Sequence, residues 1–172
     1  NNRASSIVRS LRSIFTDEKA AVECANLSAL IESILVIVRP ELRAKQIQLE
    51  LNLPTALHAP VRQTEIQQVI LNLVNNAIQS FEASRQKEKR IVIEGKSDIN
   101  CMQIAVADNG PGVSPEIQAD LFTILSSAKK TGMGLGLWLC QHIIARHGGR
   151  IWYEDAPQGG ARFCIELPQS SF

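Results

Sequence analysis

The sequence lacks several features that mark common functional classes. Its 18 Lys and Arg almost balance its 17 Asp and Glu, and the net charge of +1 predicts no bulk attraction to nucleic acid or to an anionic membrane surface. The four cysteines form no Cys-x-x-Cys pair, which argues against a zinc site. Cys101, Cys140 and Cys164 lie in apolar runs and are predicted to be buried free thiols, as expected in a reducing cytoplasm.

Targeting signals and catalytic signatures are also missing. The chain shows no signal peptide and no apolar run long enough to cross a bilayer, which predicts a cytoplasmic domain, whether or not the parent protein is anchored in a membrane through another part. No histidine lies beside a Ser, Cys or carboxylate constellation, so no hydrolase triad is indicated. His147 is interpreted as structural, and His58 and His142 as surface residues.

The apolar pattern predicts a packed domain of mixed elements. Apolar residues make up 45% of the 172 residues, enough for a globular core. The predicted order is helix, short strand, helix, strand, long helix, two strands, loop, helix and hairpin. Helices are expected over 4–15, 65–84, 115–122 and 135–146, and another runs from a cap at Asn26 or Ser28 to a stop or kink at Pro40. Thr64 is expected to cap the helix over 65–84. Strands are expected over 21–25, 47–53, 91–96, 102–107, 150–154 and 162–167, and a loop over 54–60.

These elements favour an α+β fold. Strands joined by hairpins indicate a mixed, mostly antiparallel sheet, and the helices must then cover one face of it to form a two-layer sandwich. The first helix, 4–15, begins without a cap and is interpreted as the end of a longer helix. Its apolar stripe needs a partner, which is another helix, a second copy of itself or the domain.

Asparagines cluster on the long helix. Asn72 and Asn76 are four residues apart and share one stripe, with Asn75 and Gln79 beside them. Asn is a mediocre helix former, so this cluster costs helix stability. An amide oxygen is a neutral hard ligand suited to Mg²⁺. The alternative is a polar surface.

A strand ends in the turn Asp108-Asn109-Gly110-Pro111-Gly112. An ionised carboxylate accepts hydrogen bonds and donates none, so Asp108 can read an exocyclic amine such as that of adenine. Gly110 and Gly112 permit positive φ and the close approach of a ligand. An ordinary strand-to-loop turn is the alternative, because Asp-Asn-Gly is good turn chemistry.

A glycine cluster, Gly132, Gly134 and Gly136, opens the last helix. Free backbone N–H groups at a helix start make a phosphate site. The spacing fits neither a Walker loop nor the dinucleotide fingerprint. Lys129 and Lys130 lie just upstream, where they either reach phosphate oxygens or keep the loop soluble. The long connection over 113–131 predicts a mobile lid.

In this order the three motifs resemble the ATP-binding catalytic domain of bacterial sensor histidine kinases, within the superfamily shared with gyrase, the Hsp90 chaperones and MutL. The similarity covers 26–168 and is greatest to the nitrogen-regulation and oxygen-sensing sensors. The segments that carry it are Gln68–Ala77 as the N box, Asp108–Gly112 and Thr131–Leu137 as two glycine boxes, Leu121-Phe122 as the start of an F box, His147–Gly149, Gly159–Phe163 and Leu167-Pro168.

The resemblance implies the Bergerat-type fold, ATP and Mg²⁺ as cofactors, and a role for each motif residue. Asn76 would ligate the metal and act in catalysis, Asn72 would support metal and phosphates, and Asp108 would bind the adenine amine. The remaining implied site residues are Gly110 and Gly112 at the base, Gly132, Gly134 and Gly136 as lid hinge, and Lys129 as a catalytic lid lysine.

The resemblance also implies partners and a division of the chain. Residues 1–20 would be the end of the dimerisation and histidine-phosphotransfer hairpin with its linker, and 21–172 the ATP-binding catalytic domain. The γ-phosphate would pass to a histidine of the hairpin and then to an aspartate of a response regulator receiver domain. The parent protein is expected to be a homodimer that binds no nucleic acid.

The sequence departs from the family pattern in four places. The acceptor histidine is absent, Leu125 replaces an F-box aromatic, Ser126-Ser127-Ala128 replaces the usual hydroxyl pair, and Arg62 replaces an aspartate. These changes leave open a nucleotide-binding pseudokinase with an altered lid. An ATP-driven clamp like MutL or gyrase is disfavoured, because Asn72 stands where such proteins carry a general-base glutamate.

Overall fold

The computed structural model describes residues 21–82, 84–123 and 134–169. The predicted helix over 4–15 lies outside these residues. The described elements are the strands β1 (Glu23–Asn26), β2 (Ile47–Asn52), β3 (His58–Val61), β4 (Lys89–Ser97), β5 (Cys101–Asp108), β6 (Arg150–Asp155) and β7 (Ala161–Pro168), and the helices α1 (Leu27–Ala44), α2 (Gln63–Ser80), α3 (Pro115–Gln118) and α4 (Gly134–Arg146).

Five strands form the main sheet, in the order β2-β4-β5-β7-β6. The β2–β4 pair is parallel, and the other three pairs are antiparallel. β1 and β3 form a separate antiparallel ribbon beside it. The prediction of a mixed, mostly antiparallel sheet is therefore confirmed.

Side-chain burial alternates along the central strands, and this alternation defines the two layers. Met102, Ile104 and Val106 of β5 are buried, and they lie on the same face of the sheet as Ile165 and Leu167 of β7. α2 packs against β5, and α4 packs against β6, β7 and α2. The helices thus form the second layer of an α+β sandwich, and the apolar core lies between the layers.

Local capping agrees with the sequence at both ends of the helical layer. The Asn26 side chain caps α1, because its Oδ1 accepts hydrogen bonds from Ser28 N at 3.1 Å and Ala29 N at 3.3 Å. After α4, Gly148 has φ of 69°, as predicted for a left-handed cap.

One predicted loop was wrong, and one of two alternatives at a proline was ruled out. The expected loop over 54–60 contains β3, because Pro60 sits on a short ribbon strand that pairs only with β1 and so loses little from its missing N–H. Of the two alternatives predicted at Pro40, a stop or a kink, the stop does not occur, because α1 continues to Ala44. Pro40 removes the hydrogen bond to the carbonyl of Val36, and Val36 is 65% exposed, so water can replace that bond.

The remaining differences are smaller. α2 begins at Gln63 with Arg62 as its N-cap residue, and not at a Thr64 cap, and it ends at Ser80 instead of 84. Cys140 and Cys164 are buried free thiols as predicted, but Cys101, at the start of β5, is only half-buried. Burial raises the pKa of the Cys140 thiol to about 12, which keeps it protonated at neutral pH.

Candidate functional site

The asparagine stripe of α2 faces α4. Asn72 Nδ2 lies 3.7 Å from Cys140 Sγ on α4, and a Cβ built on Gly136 would lie 3.8 Å from the Asn72 side chain. The structure therefore brings Asn72 together with Gly136, in the first turn of α4. Gly134 is the first described residue of this helix, and the dipole of a helix favours an anion at its N-terminus.

Asn76 lies one turn further along α2 and is almost buried, with 8% of its surface exposed. Its Nδ2 is buried and has no hydrogen-bond partner among the described residues. A buried polar atom without a partner costs about 1–3 kcal/mol. A ligand that offers an acceptor to Nδ2 would relieve this cost, and so would rotation of the amide to present its oxygen to a hard cation. The residues present thus fit a Mg²⁺–phosphate group.

Asp108, the last residue of β5, is 5% exposed. Its Oδ1 accepts hydrogen bonds from Gly110 N at 2.8 Å and Ala161 N at 3.4 Å. Burial raises the pKa of the Asp108 carboxyl, and hydrogen bonds from these two amides and from the Ser80 hydroxyl partly oppose the rise. Oδ2 receives neither backbone bond, so this buried carboxylate retains accepting capacity for a ligand.

Close backbone packing shapes the turn after Asp108. Gly112 has φ of 74° as expected, and a Cβ there would lie 3.4 Å from the carbonyl oxygen of Gly160. Gly110 does not use the positive φ that glycine permits. Gly110 is needed because a Cβ would lie 2.6 Å from Ser80 Oγ. Gly160 combines φ of 89° with a Cβ position 2.1 Å from the Asp108 carbonyl oxygen.

Sequence reasoning did not single out the residues that hold Asp108 from other elements. Ser80 ends α2, and Ala161 begins β7. Both contact Asp108 only through tertiary packing, so local patterns carried no signal for them. An aromatic cluster lies on the face of the sheet that carries Asp108. The ring centroid of Phe163 lies 5.6 Å from that of Tyr153 and 6.4 Å from that of Phe122.

The opposite face of the sheet carries an open cleft. Its charged lining is largely self-paired, since Arg162 Nη1 lies 2.9 Å from Glu94 Oε2. Asp108 also borders this cleft, but none of the asparagines of α2 lines it, and the Asn76 amide without a partner lies on the helical side. We therefore assign the candidate site to the helical face. Lys129 and Gly132, together with the departures over 125–128, lie outside the described residues.

A family model identifies the class of protein to which this fold belongs. Residues 61–171 match the family described as histidine kinase-, DNA gyrase B- and HSP90-like ATPase, and the chain belongs to this family. It is an ATPase domain of the histidine-kinase type. Within the described residues, no helix is both long and apolar enough to cross a membrane.

Particular relatives are sensor kinases. The chain is 33% identical over 167 residues to the sensor protein FixL of Bradyrhizobium diazoefficiens, covering 96% of this chain and 33% of FixL. The catalytic domain of histidine kinase ThkA superposes with a TM-score of 0.77 at 29% identity, covering 86% of this chain and 95% of that domain. ThkA in complex with the response regulator TrrA gives a TM-score of 0.79 at 27% identity, covering 98% of this chain and 48% of that chain. The chain thus spans about a third of the length of FixL.

Proposed function

We propose that this domain binds Mg²⁺–ATP on its helical face and donates the γ-phosphate to a histidine of a sensor kinase. The observation that carries the proposal is the arrangement of α2. Its last residue, Ser80, contacts Asp108, and Asn76 lies four residues earlier, about 6 Å along the helix axis. One rigid helix therefore spaces a carboxylate acceptor and an unpartnered buried amide, which suits a nucleotide with its base at one end and its phosphates at the other.

At the base end, ionised Asp108 accepts a hydrogen bond from the exocyclic amine of adenine. Its Oδ1 is already held by Gly110 N and Ala161 N, so the carboxylate does not need to reorganise when the base arrives. Gly110 and Gly112 keep the turn free of side chains where the base lies.

At the phosphate end, Asn76 holds Mg²⁺ and Asn72 supports the metal and the phosphates. Bound Mg²⁺ neutralises charge on the phosphate oxygens as it develops during transfer. Gly132, Gly134 and Gly136 form the hinge of a lid whose amides grip the phosphates, and Lys129 adds a point charge there. Asn76 and Lys129 are accordingly the catalytic residues of the proposal.

The proposal divides the chain at residue 20. Residues 1–20 end the dimerisation and histidine-phosphotransfer hairpin, and residues 21–172 form the catalytic domain. The acceptor histidine belongs to that hairpin, and the next acceptor is an aspartate of a response regulator receiver domain. ThkA, which forms a complex with the response regulator TrrA, supports this order of partners by similarity. The parent protein is a homodimer with this domain in the cytoplasm.

Calorimetric titration with Mg²⁺ and a non-hydrolysable ATP analogue tests the binding step. Asp108→Asn and Asn76→Ala should each weaken binding roughly tenfold or more, because each removes a contact to a charged group or metal. Asp98→Asn and Asn52→Ala are matched controls. Asp98 lies in the β4–β5 turn, and Asn52 lies on the face of the sheet opposite the helices. Adding the histidine hairpin in trans with labelled ATP then tests transfer. Absence of wild-type binding at millimolar nucleotide would contradict the proposal, and binding without label on the histidine would favour a pseudokinase.

A further inference from the structure

Ser80 stands at the junction between the two ends of the proposed nucleotide site. It is the last residue of α2, and its hydroxyl donates to the carbonyl oxygen of Ala77 at 2.8 Å. The same hydroxyl lies beside the Asp108 carboxylate, because Ser80 Oγ and Asp108 Oδ1 both face the space next to Gly110, and it opposes the rise in the pKa of that carboxyl. A hydroxyl has one hydrogen, so the helix carbonyl and the carboxylate compete for it.

Few groups around Asp108 stabilise its negative charge, so the contact with Ser80 has a large influence on this carboxylate. Among the described residues, none of the ion pairs includes Asp108, so neutral groups alone stabilise its negative charge. Gly110 N and Ala161 N both approach Oδ1. These two donors are backbone N–H groups, which every substitution except proline leaves in place. Of the three groups beside the carboxylate, only the Ser80 hydroxyl belongs to a side chain, so it is the one that a simple substitution can remove.

The turn is also built around the Ser80 side chain. A Cβ on Gly110 would lie 2.6 Å from Ser80 Oγ and 2.9 Å from Asp108 Oδ1. The space that glycine leaves open at position 110 is thus occupied by this hydroxyl and this carboxylate. Ser80, Gly110 and Asp108 fit together as a unit, which joins the end of the asparagine-bearing helix to the end of β5.

We propose that Ser80 is a positioning and specificity-determining residue for base recognition: its hydroxyl holds the Asp108 carboxylate in the orientation that accepts from the exocyclic amine of the purine. This inference rests on the proposed function for its ligand. The contact between Ser80 and Asp108 does not depend on the proposed function, so it is tested first, without nucleotide. Ser80 acts through Asp108 and is not itself a catalytic residue.

The first test is the titration of the Asp108 carboxyl carbon by NMR in the ligand-free chain. Ser80→Ala removes a donor to the ionised form, so the pKa of Asp108 should rise. Ser33→Ala is the matched control, because Ser33 Oγ donates to Leu30 O at 2.7 Å in the same helical i−3 pattern on α1, away from Asp108. An unchanged or lowered pKa in Ser80→Ala, with the fold intact, would overturn the proposal. If Ser80→Ala does not fold, Ser80→Cys keeps the volume with a weaker donor and should raise the pKa by less.

The second test compares non-hydrolysable analogues of ATP and ITP, since inosine has an oxygen in place of the amine. Ser80→Ala should weaken ATP-analogue binding roughly three- to tenfold, the range for one hydrogen bond, and change ITP-analogue binding less than about twofold. The acid limb of ATP-analogue binding should move to higher pH. Equal losses for both nucleotides would indicate a merely structural role and overturn the specificity claim. If the wild-type chain binds neither nucleotide, the proposed function fails while the carboxyl titration still decides the Ser80–Asp108 bond.

Discussion

Two buried carboxylates in this domain are held in opposite ways. Glu65, in the first turn of α2, is 4% exposed, and Asp108, at the end of β5, is 5% exposed. Glu65 Oε1 lies 3.2 Å from Arg146 Nη2, and its Oε2 lies 3.7 Å from His147 Nδ1. Asp108 has backbone amides and a hydroxyl around it instead. The first carboxylate faces a cation, and the second faces only neutral donors.

The partners of Glu65 explain why its site is structural. His147 Nε2 accepts from Arg62 N at 3.1 Å, and its Nδ1 contacts Ile143 O at 2.8 Å, so both ring nitrogens are already used within the fold. Glu65 and His147 thereby tie the start of α2 to the end of α4, as the sequence predicted for His147.

The ion pair with Arg146 holds the Glu65 carboxylate within the fold, although neither of its oxygens accepts a hydrogen bond among the described residues. A carboxylate held by neutral donors remains a strong acceptor. We therefore assign Asp108 to ligand recognition and Glu65 to the stability of the fold.

The largest effect is expected from displacing the turn that follows Asp108. In Gly160→Ala, the new Cβ would meet the Asp108 carbonyl oxygen at 2.1 Å, at a φ of 89°. We expect a loss of about 3 kcal/mol or more in the free energy of unfolding, and nucleotide binding reduced beyond detection. Urea denaturation and calorimetry measure the two effects.

Gly159→Ala is the matched control for that clash. Gly159 has φ of 83°, but nothing lies within 4 Å of its added Cβ. It should cost only about 1–2 kcal/mol, the penalty for a non-glycine residue at positive φ, and leave binding intact. Similar losses at both positions would mean that the contact with Asp108 is not what fixes Gly160.

The next effect separates the two carboxylates directly. Glu65→Gln should lower the free energy of unfolding by about 1–2 kcal/mol, because Arg146 loses its partner but is 37% exposed and keeps access to water. Asp108→Asn should change it by less than about 1 kcal/mol, because the amide Oδ1 can still accept from Gly110 and Ala161 and the buried charge is gone. Urea denaturation of both variants side by side measures the contrast, and a larger loss in Asp108→Asn would reverse our assignment of roles.

The sequence was sufficient for the helical layer and the main sheet, but not for the ribbon strand β3, and it singled out part of the candidate site. Periodicity located α2 and α4, and the residue types identified Asn72, Asn76 and Asp108, because each carries its chemistry in a local pattern. Ser80, Ala161 and the constraint on Gly160 could not be predicted. Their roles arise where the end of α2 and the β6–β7 turn meet the end of β5, and contacts between distant segments leave no local signal.

The smallest effect concerns pH, and it has opposite signs for binding and for stability. Burial raises the pKa of Asp108 in the folded chain, so the folded state takes up a proton more readily there than the unfolded state does. As pH falls through this raised pKa, the contribution of Asp108 to stability should increase, because the uncompensated buried charge disappears.

The affinity for an ATP analogue should fall over the same pH range, because a protonated Asp108 can no longer serve as a charged acceptor for the amine. Calorimetric titrations across the acid range measure this fall. The affinity of an ITP analogue should not fall, and Asp108→Asn should remove the pH dependence of ATP-analogue binding. Persistence of the acid limb in Asp108→Asn would assign it to another group and would break the distinction between the two carboxylates, because recognition would then not depend on the charge of Asp108.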